Sequence, residues 1–286
     1  NARDLEWVRA ALGEERISYL GYSYGTALGA TYLTLFPERV RALVLDGSID
    51  PSFDLEQFAR EQAAAVERAL AAYDQKAQSR GWHGVEALDA AFERAKTKST
   101  VLYAAAEGLS SPPDGWHDLA DALGREQAGD WSGLDQLATR YFGVRPDGTR
   151  ELSVEAQLAT LCADQHRLVS ADAYRAALPE LSAASPHFGP GNLLSHLPCA
   201  FWPEPARRLP EIGLRSGPPV LVLANRGDPL TPHLWGERLA ARFATATLVD
   251  IDSLAHTAFG RGDACVDRLV EDYLLAPAPP ARTHCP

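Results

Sequence analysis

The stretch Gly21-Tyr-Ser23-Tyr-Gly25 sets a serine in a G-x-S-x-G pattern. A serine so placed is a nucleophile candidate when a strand precedes it and a helix follows it. The sharp turn between the two lifts the hydroxyl off the sheet edge, and small flanking residues let strand and helix close around it. The first backbone N–H of the helix, here that of Tyr24, can then stabilise an oxyanion. A serine hydroxyl is a poor nucleophile until a base takes its proton, so the pattern implies acyl transfer only if a histidine and an orienting carboxylate accompany it. Without them it is a glycine–serine turn.

In this chemistry on an α/β scaffold the chain order is serine, acid, histidine. Asp228 stands in Ala224-Asn-Arg-Gly-Asp-Pro-Leu-Thr-Pro232, directly after the apolar run Val220-Leu-Val-Leu223. Gly227 and two prolines fix a tight loop, which holds a carboxylate at a defined place. A plain Asx turn before a helix is the bland alternative. Asp46, at the end of Val40-Arg-Ala-Leu-Val-Leu-Asp46, is a rival acid. His256 follows the last strong strand pattern, Ala246-Thr-Leu-Val-Asp-Ile251, and is the base expected to take the Ser23 proton and return it to the leaving group. The other histidines, His83, His117, His166, His187, His196, His233 and His284, read as surface or satisfied core residues. Neither a His-x-x-x-His pair nor a carboxylate cluster at ligand spacing is present, so neither a metal nor a cofactor is expected.

The elements that must position these residues are legible from periodicity. Arg16–Tyr22 reads as a buried strand, 24–36 as a helix ended by Pro37, and Val40–Asp46 as the next strand: a βαβ unit, hence a parallel sheet. An N-terminal helix is expected to start under an Asn1 cap and to turn Leu5, Val8 and Leu12 to one face. From Pro51 to about Pro210 the strand signal disappears. Helices are expected over 55–77, 85–95, 116–125, 132–141, 154–163 and 171–178, with Pro112-Pro113 and Pro186 to Pro190 as loop. The α/β pattern resumes with a strand at 219–225, a helix at 232–243, a strand at 246–251 and a final helix from Asp263 to Leu275, Asp263 its cap. The organisation is therefore one α/β core in two pieces, 1–50 and 211–286, interrupted by a helical insertion over 51–210. The proline-rich tail from Ala276 would wander unless tied.

Composition narrows the partners. A formal net charge of -11 argues against nucleic acid. No apolar run approaches the roughly 20 residues of a membrane span. Four cysteines, none in a C-x-x-C pair, allow two disulfides or four buried thiols. Methionine is absent, which carries no functional reading.

Taken together, Gly21-Tyr-Ser-Tyr-Gly-Thr26, Val44-Leu-Asp-Gly47 with Asp50-Pro51, Asp228-Pro-Leu-Thr-Pro232 and His256-Thr-Ala-Phe resemble the secreted tripeptidyl aminopeptidases of actinobacteria, relatives of proline iminopeptidase. Leu161-Cys-Ala-Asp164, Pro198-Cys-Ala-Phe-Trp-Pro203 and Ala264-Cys-Val-Asp267 extend the likeness over nearly the whole chain. The resemblance implies an α/β-hydrolase fold with a large helical lid, and an exopeptidase that releases short peptides from a free N-terminus. It pairs Cys162 with Cys199 and Cys265 with Cys285, and two disulfides imply an oxidising, extracytoplasmic compartment. It makes Asp164 a candidate partner for the substrate α-amine, against a helix-surface acid, and Phe201 and Trp202 candidates for an apolar subsite, against ordinary core packing. The family also begins with strands and a His-Gly-Gly-Pro-Gly-like loop that gives a second oxyanion N–H. Nothing here matches it, so a missing N-terminal segment of the same protein is an expected partner. The alternatives are a carboxylesterase or lipase, and an incomplete hydrolase fragment that acts as a binding module.

Overall fold

The computed structural model describes every residue except 53, 146, 165–167 and 204–210. His166 and the end of the expected insertion near residue 210 lie outside the described residues. The chain forms two compact units, one of Asn1–Ser52 with Leu209–Pro286 and one of Phe53–Arg208.

The first unit is built on a five-stranded sheet in which every pair is parallel and the spatial order is β1-β2-β3-β4-β5. Its strands are β1 (Ile17–Tyr22), β2 (Val40–Asp46), β3 (Val220–Asn225), β4 (Ala246–Ile251) and β5 (His284–Cys285). Helices α1 (Ala2–Ala11), α2 (Tyr24–Leu35), α11 (His233–Ala240) and α12 (Ala264–Leu275) accompany it. Both faces are covered, so the central strands β2 and β3 read as nearly continuous apolar runs rather than alternating ones. Leu43, Leu45, Val220 and Val222 join Tyr32, Leu33, Leu239 and Phe243 in one core cluster. Their neighbours Ala42, Val44, Leu221 and Leu223 join Val266, Val270 and Tyr273 in the other. The two-residue period of a strand sorts the side chains between the two layers.

Register brings the carboxyl ends of the strands level. Tyr22 pairs with Asp46, Asp46 with Leu223, and Asn225 with Ile251. The loops after β1, β2, β3 and β4 therefore leave the sheet at one edge, the usual place for a site in an open α/β sheet.

The second unit is helical: α3 (Leu55–Gln78), α4 (Gly84–Arg94), α5 (Lys98–Leu109), α6 (Asp114–Gln127), α7 (Ser132–Tyr141), α8 (Ser153–Asp164), α9 (Ala171–Ala184) and α10 (Gly189–Ser195). Asp54 caps α3 by accepting from the Gln57 N–H. The buried Glu126 of α6 forms an ion pair with Arg94 of α4 at 2.5 Å. Among the described residues no helix is long and apolar enough to cross a membrane.

Several local expectations are corrected. On α1, Leu5 packs on the core, but Val8 and Leu12 are 53% and 70% exposed, and Asn1 makes no side-chain cap. The buried stripe instead runs through Ala2 and Arg9. Glu6 neutralises the Arg9 guanidinium and accepts from the Tyr32 hydroxyl at 2.8 Å, so a charged side chain can cover apolar surface. Helix α9 runs on through Pro179 to Ala184, and Pro190 lies in the first turn of α10 rather than in a loop. Helix α5, absent from the expected helices, buries Val101, Ala104, Ala105 and Leu109 along one face. The tail is tied as the expected Cys265–Cys285 pair requires, and in addition β5 pairs with β4.

Candidate active site

Ser23 sits between β1 and α2 with φ 51° and ψ -119°. That positive φ is strained for any residue with a Cβ and is stabilised by its surroundings. The Ser23 N–H donates to the Asp46 carbonyl at 2.9 Å, and the Ser23 carbonyl accepts from the Thr26 N–H and hydroxyl at 2.9 and 2.6 Å. Thr26 in turn accepts from the Ile49 N–H, tying the turn to the loop after β2. The close approach falls on Gly21, where an added Cβ would meet the Gly25 carbonyl oxygen at 2.4 Å, and on Gly29, where it would meet the Tyr19 ring at 2.6 Å. At Gly25 itself the nearest atom is 3.5 Å away, so the second glycine of the motif is not held by crowding. Ser23 makes no side-chain cap, and Tyr24 opens α2 at the positive end of its dipole.

Asp228 lies in the loop after β3. Its carboxylate is fully buried and accepts from the Leu230 N–H at 2.9 Å, the Thr231 N–H at 2.8 Å and the Thr231 hydroxyl at 2.8 Å. The Nδ1 of His256 lies 3.0 Å from Oδ2 and 3.1 Å from Oδ1 of the same carboxylate. The ring itself is partly exposed, at 16%. Gly47 packs under it: a Cβ there would come within 3.3 Å of the His256 Cε1 and within 3.0 Å of both Thr231 and Thr257. Ser23 is thus bonded to the Asp46 carbonyl, and the lack of a side chain at Gly47 leaves room for the His256 ring.

Asp46, the rival acid, does not bond His256. Its buried oxygens accept from the Ala258 N–H at 3.0 and 3.1 Å and from the Phe259 N–H at 2.8 Å. Asn225 grips the other side of the histidine loop, its Nδ2 donating to the carbonyls of Ala255 at 2.7 Å and Thr257 at 2.9 Å. Arg261 donates to the His256 carbonyl at 3.1 Å, and Thr257 takes φ 63°. Sequence reasoning named neither Asn225 nor Thr231 as part of the site. Thr231 had a readable signal: a threonine three residues after an aspartate in a proline-bounded loop is an Asx-type partner. Asn225 had none, because a polar residue closing a strand is ordinary.

The remaining described histidines are engaged elsewhere. His233 meets Asp250 at 2.7 Å, His284 meets Asp252 at 3.0 Å, and His83 lies 4.0 Å from Glu86. His117 faces Arg80 at 3.2 Å, His196 faces the Asn192 carbonyl at 3.0 Å, and His187 lies between Glu67 and Asp89. Among the described residues no group of three His, Cys, Asp and Glu could hold a metal ion. The cysteines are joined Cys162–Cys199 and Cys265–Cys285. Asp164 ends α8 beside the first disulfide, and Trp202 packs on the Leu55, Leu161, Cys162 and Cys199 cluster. Phe201 is 70% exposed. All three belong to the helical unit and not to the sheet that carries Ser23.

A parallel sheet that carries a strained serine between strand and helix, with an aspartate–histidine pair on the following loops, defines the α/β-hydrolase class. Residues 185–285 match the family described as TAP-like protein. The chain is 30% identical over 316 residues to the serine protease Hip1 of Mycobacterium tuberculosis, covering 99% of this chain and 60% of that protein. It is 29% identical over 310 residues to the tripeptidyl aminopeptidase of Streptomyces coelicolor, covering 98% and 56%. It is 32% identical over 309 residues to carboxylesterase B of Mycobacterium tuberculosis, covering 99% and 59%. The chain thus spans no more than 60% of the length of these curated relatives.

Proposed function

We propose that this chain carries the nucleophile, acid and base of a serine hydrolase, and that the enzyme is an exopeptidase releasing short peptides from a free N-terminus through an acyl-enzyme. The observation that carries the reading is the buried Asp228 carboxylate set against Nδ1 of His256 on the edge where Ser23 is held at φ 51°. With Nδ1–H donated to Asp228, the neutral ring keeps its lone pair on Nε2, the nitrogen that must accept a proton. Nε2 takes the Ser23 proton as Oγ attacks the scissile carbonyl. The imidazolium formed is stabilised by Asp228 and returns the proton to the leaving amine, and water then repeats the sequence on the acyl-enzyme. The Tyr24 N–H faces the developing oxyanion, where one such donor is worth about a hundredfold or more in rate.

Peptide as substrate is supported by relatives named for serine protease and tripeptidyl aminopeptidase activity. Asp164, Phe201 and Trp202 are the candidates for holding the amino end of the peptide. The relative named carboxylesterase B supports a second reading, an esterase using the same three residues. Peptides with free and blocked α-amines separate the two: the exopeptidase requires the free amine, and equal turnover of both forms would remove that reading while leaving the hydrolase. The two disulfides support folding in an oxidising, extracytoplasmic compartment.

A further inference from the structure

The backbone around His256 is held at many points. The carbonyls of residues 255 and 257 go to Asn225, that of His256 to Arg261, and that of Phe259 to the Tyr22 hydroxyl at 3.3 Å. The Thr257 N–H goes to Asp228 and the Gly260 N–H to Asp267. The N–H groups of Ala258 and Phe259 go to Asp46, which is 1% exposed. The titratable groups facing Asp46 are Asp228 from the loop after β3, His256 from the loop after β4 and the Tyr22 phenol from β1.

We propose that Asp46 is a positioning residue for His256: its ionised carboxylate clamps the loop through the Ala258 and Phe259 N–H groups and sets a second negative charge beside the imidazole. The inference rests on the reading of His256 as the base. A carboxylate suits this task because it presents acceptors only, so both oxygens meet N–H groups with no donor turned toward them. An asparagine must either leave one N–H short of a partner or set an amide donor against it.

Stability does not account for the carboxylate. Burial pushes Asp46 up to about 6 from an ordinary 3.8, with the Asp228 charge adding to the effect and the two N–H donors opposing it. The native state therefore binds the Asp46 proton more tightly than the unfolded chain. The stabilising contribution is full below the ordinary value and is lost as pH rises through about 6. At neutral pH the ionised group weakens the fold, which fits a side chain kept for what it does to the histidine loop.

The test compares the native protein with Asp46→Asn by pH-titrated NMR and by fluorophosphonate acylation. In the native protein the Ala258 and Phe259 amide protons should shift together with a midpoint near the Asp46 value of about 6. In D46N that transition should vanish. Acylation of Ser23 at pH 7.5 should slow by about tenfold to a hundredfold, the scale of a displaced catalytic group. Amides that ignore Asp46, or Ser23 acylation at the native rate in a folded D46N, would overturn the proposal. The titration of the native amides decides it even where D46N fails to fold. A native protein whose Ser23 is never acylated contradicts the hydrolase reading instead, and leaves the NMR comparison to decide the role of Asp46.

Discussion

The Asp228 carboxylate straddles Nδ1 of His256, with its two oxygens 3.0 and 3.1 Å from that nitrogen. The same carboxylate accepts two backbone N–H groups and the Thr231 hydroxyl, so it is fixed before the imidazole meets it. The arrangement selects one tautomer. Asp228→Asn should leave the fold intact and lower kcat about 10⁴-fold, because an amide donor facing Nδ1 drives the proton to Nε2. Stopped-assay kinetics on an activated ester measure this; a loss of less than about tenfold would remove Asp228 from the account.

Gly21 supplies a steric prediction. An added Cβ meets the Gly25 carbonyl oxygen at 2.4 Å, and both partners are backbone, which gives little room to relax. Gly21→Ala should destabilise the protein by about 1–3 kcal/mol or more and move Ser23 out of line. Gly25→Ala, whose nearest neighbour is the Tyr19 hydroxyl at 3.5 Å, should be milder in urea denaturation. Equal costs at the two glycines would mean that the crossing of β1 and α2 is not the constraint.

Much of this site was legible in the sequence because it obeys short-range rules. A strand, a turn and a helix around Ser23, and loops after apolar strands for Asp228 and His256, are local patterns. The bonds of Asn225 to the carbonyls of residues 255 and 257 were not legible, since they join positions some thirty residues apart and use a residue with no special spacing. Helix α1 failed for a related reason. Its periodicity favoured a Leu5, Val8, Leu12 face, but the Arg9–Glu6 pair and the Tyr32 hydroxyl settle the rotation. Proline misled in the helical unit, where α9 accommodates Pro179. The two-residue strand β5 has too few residues to show a period and is held by Cys285 and by pairing to β4.

The Cys265–Cys285 bond closes a segment with a sequence separation of 20. Loop-closure entropy for such a segment is worth about 3 kcal/mol. Reduction, or Cys265→Ser, should expose the edge of β4, where the Asp250 and Asp252 N–H groups donate to the Thr283 and Cys285 carbonyls at 3.0 Å each. Hydrogen exchange should speed at those two amides far more than at Val222 in β3. Unchanged exchange at Asp250 and Asp252 would show that pairing alone holds the tail.

His187 links the pH response of the helical unit to two carboxylates. Its pKa is raised, first by the hydrogen bond to Glu67, and that of Glu67 is lowered by the same contact against the cost of burial. The histidine contribution is complete below its ordinary 6.5 and is lost as pH rises through the raised value. The Glu67 contribution is present above its ordinary 4.5 and is lost as pH falls through the lowered one. The urea midpoint of the native protein should therefore gain most from this pair between those two ordinary values. His187→Gln should remove the gain there and cost less at pH 9. A cost independent of pH would assign His187 to packing alone.

The central claim is that Ser23 is activated by His256 and oriented through Asp228. The direct measurement is reaction of the folded protein with a fluorophosphonate probe, followed by mass spectrometry of the modified peptide, beside Ser23→Ala and His256→Ala. The account predicts a single adduct on Ser23, absent from S23A and strongly slowed in H256A. An adduct on another residue, equal labelling of H256A, or no labelling of a folded native sample would contradict it.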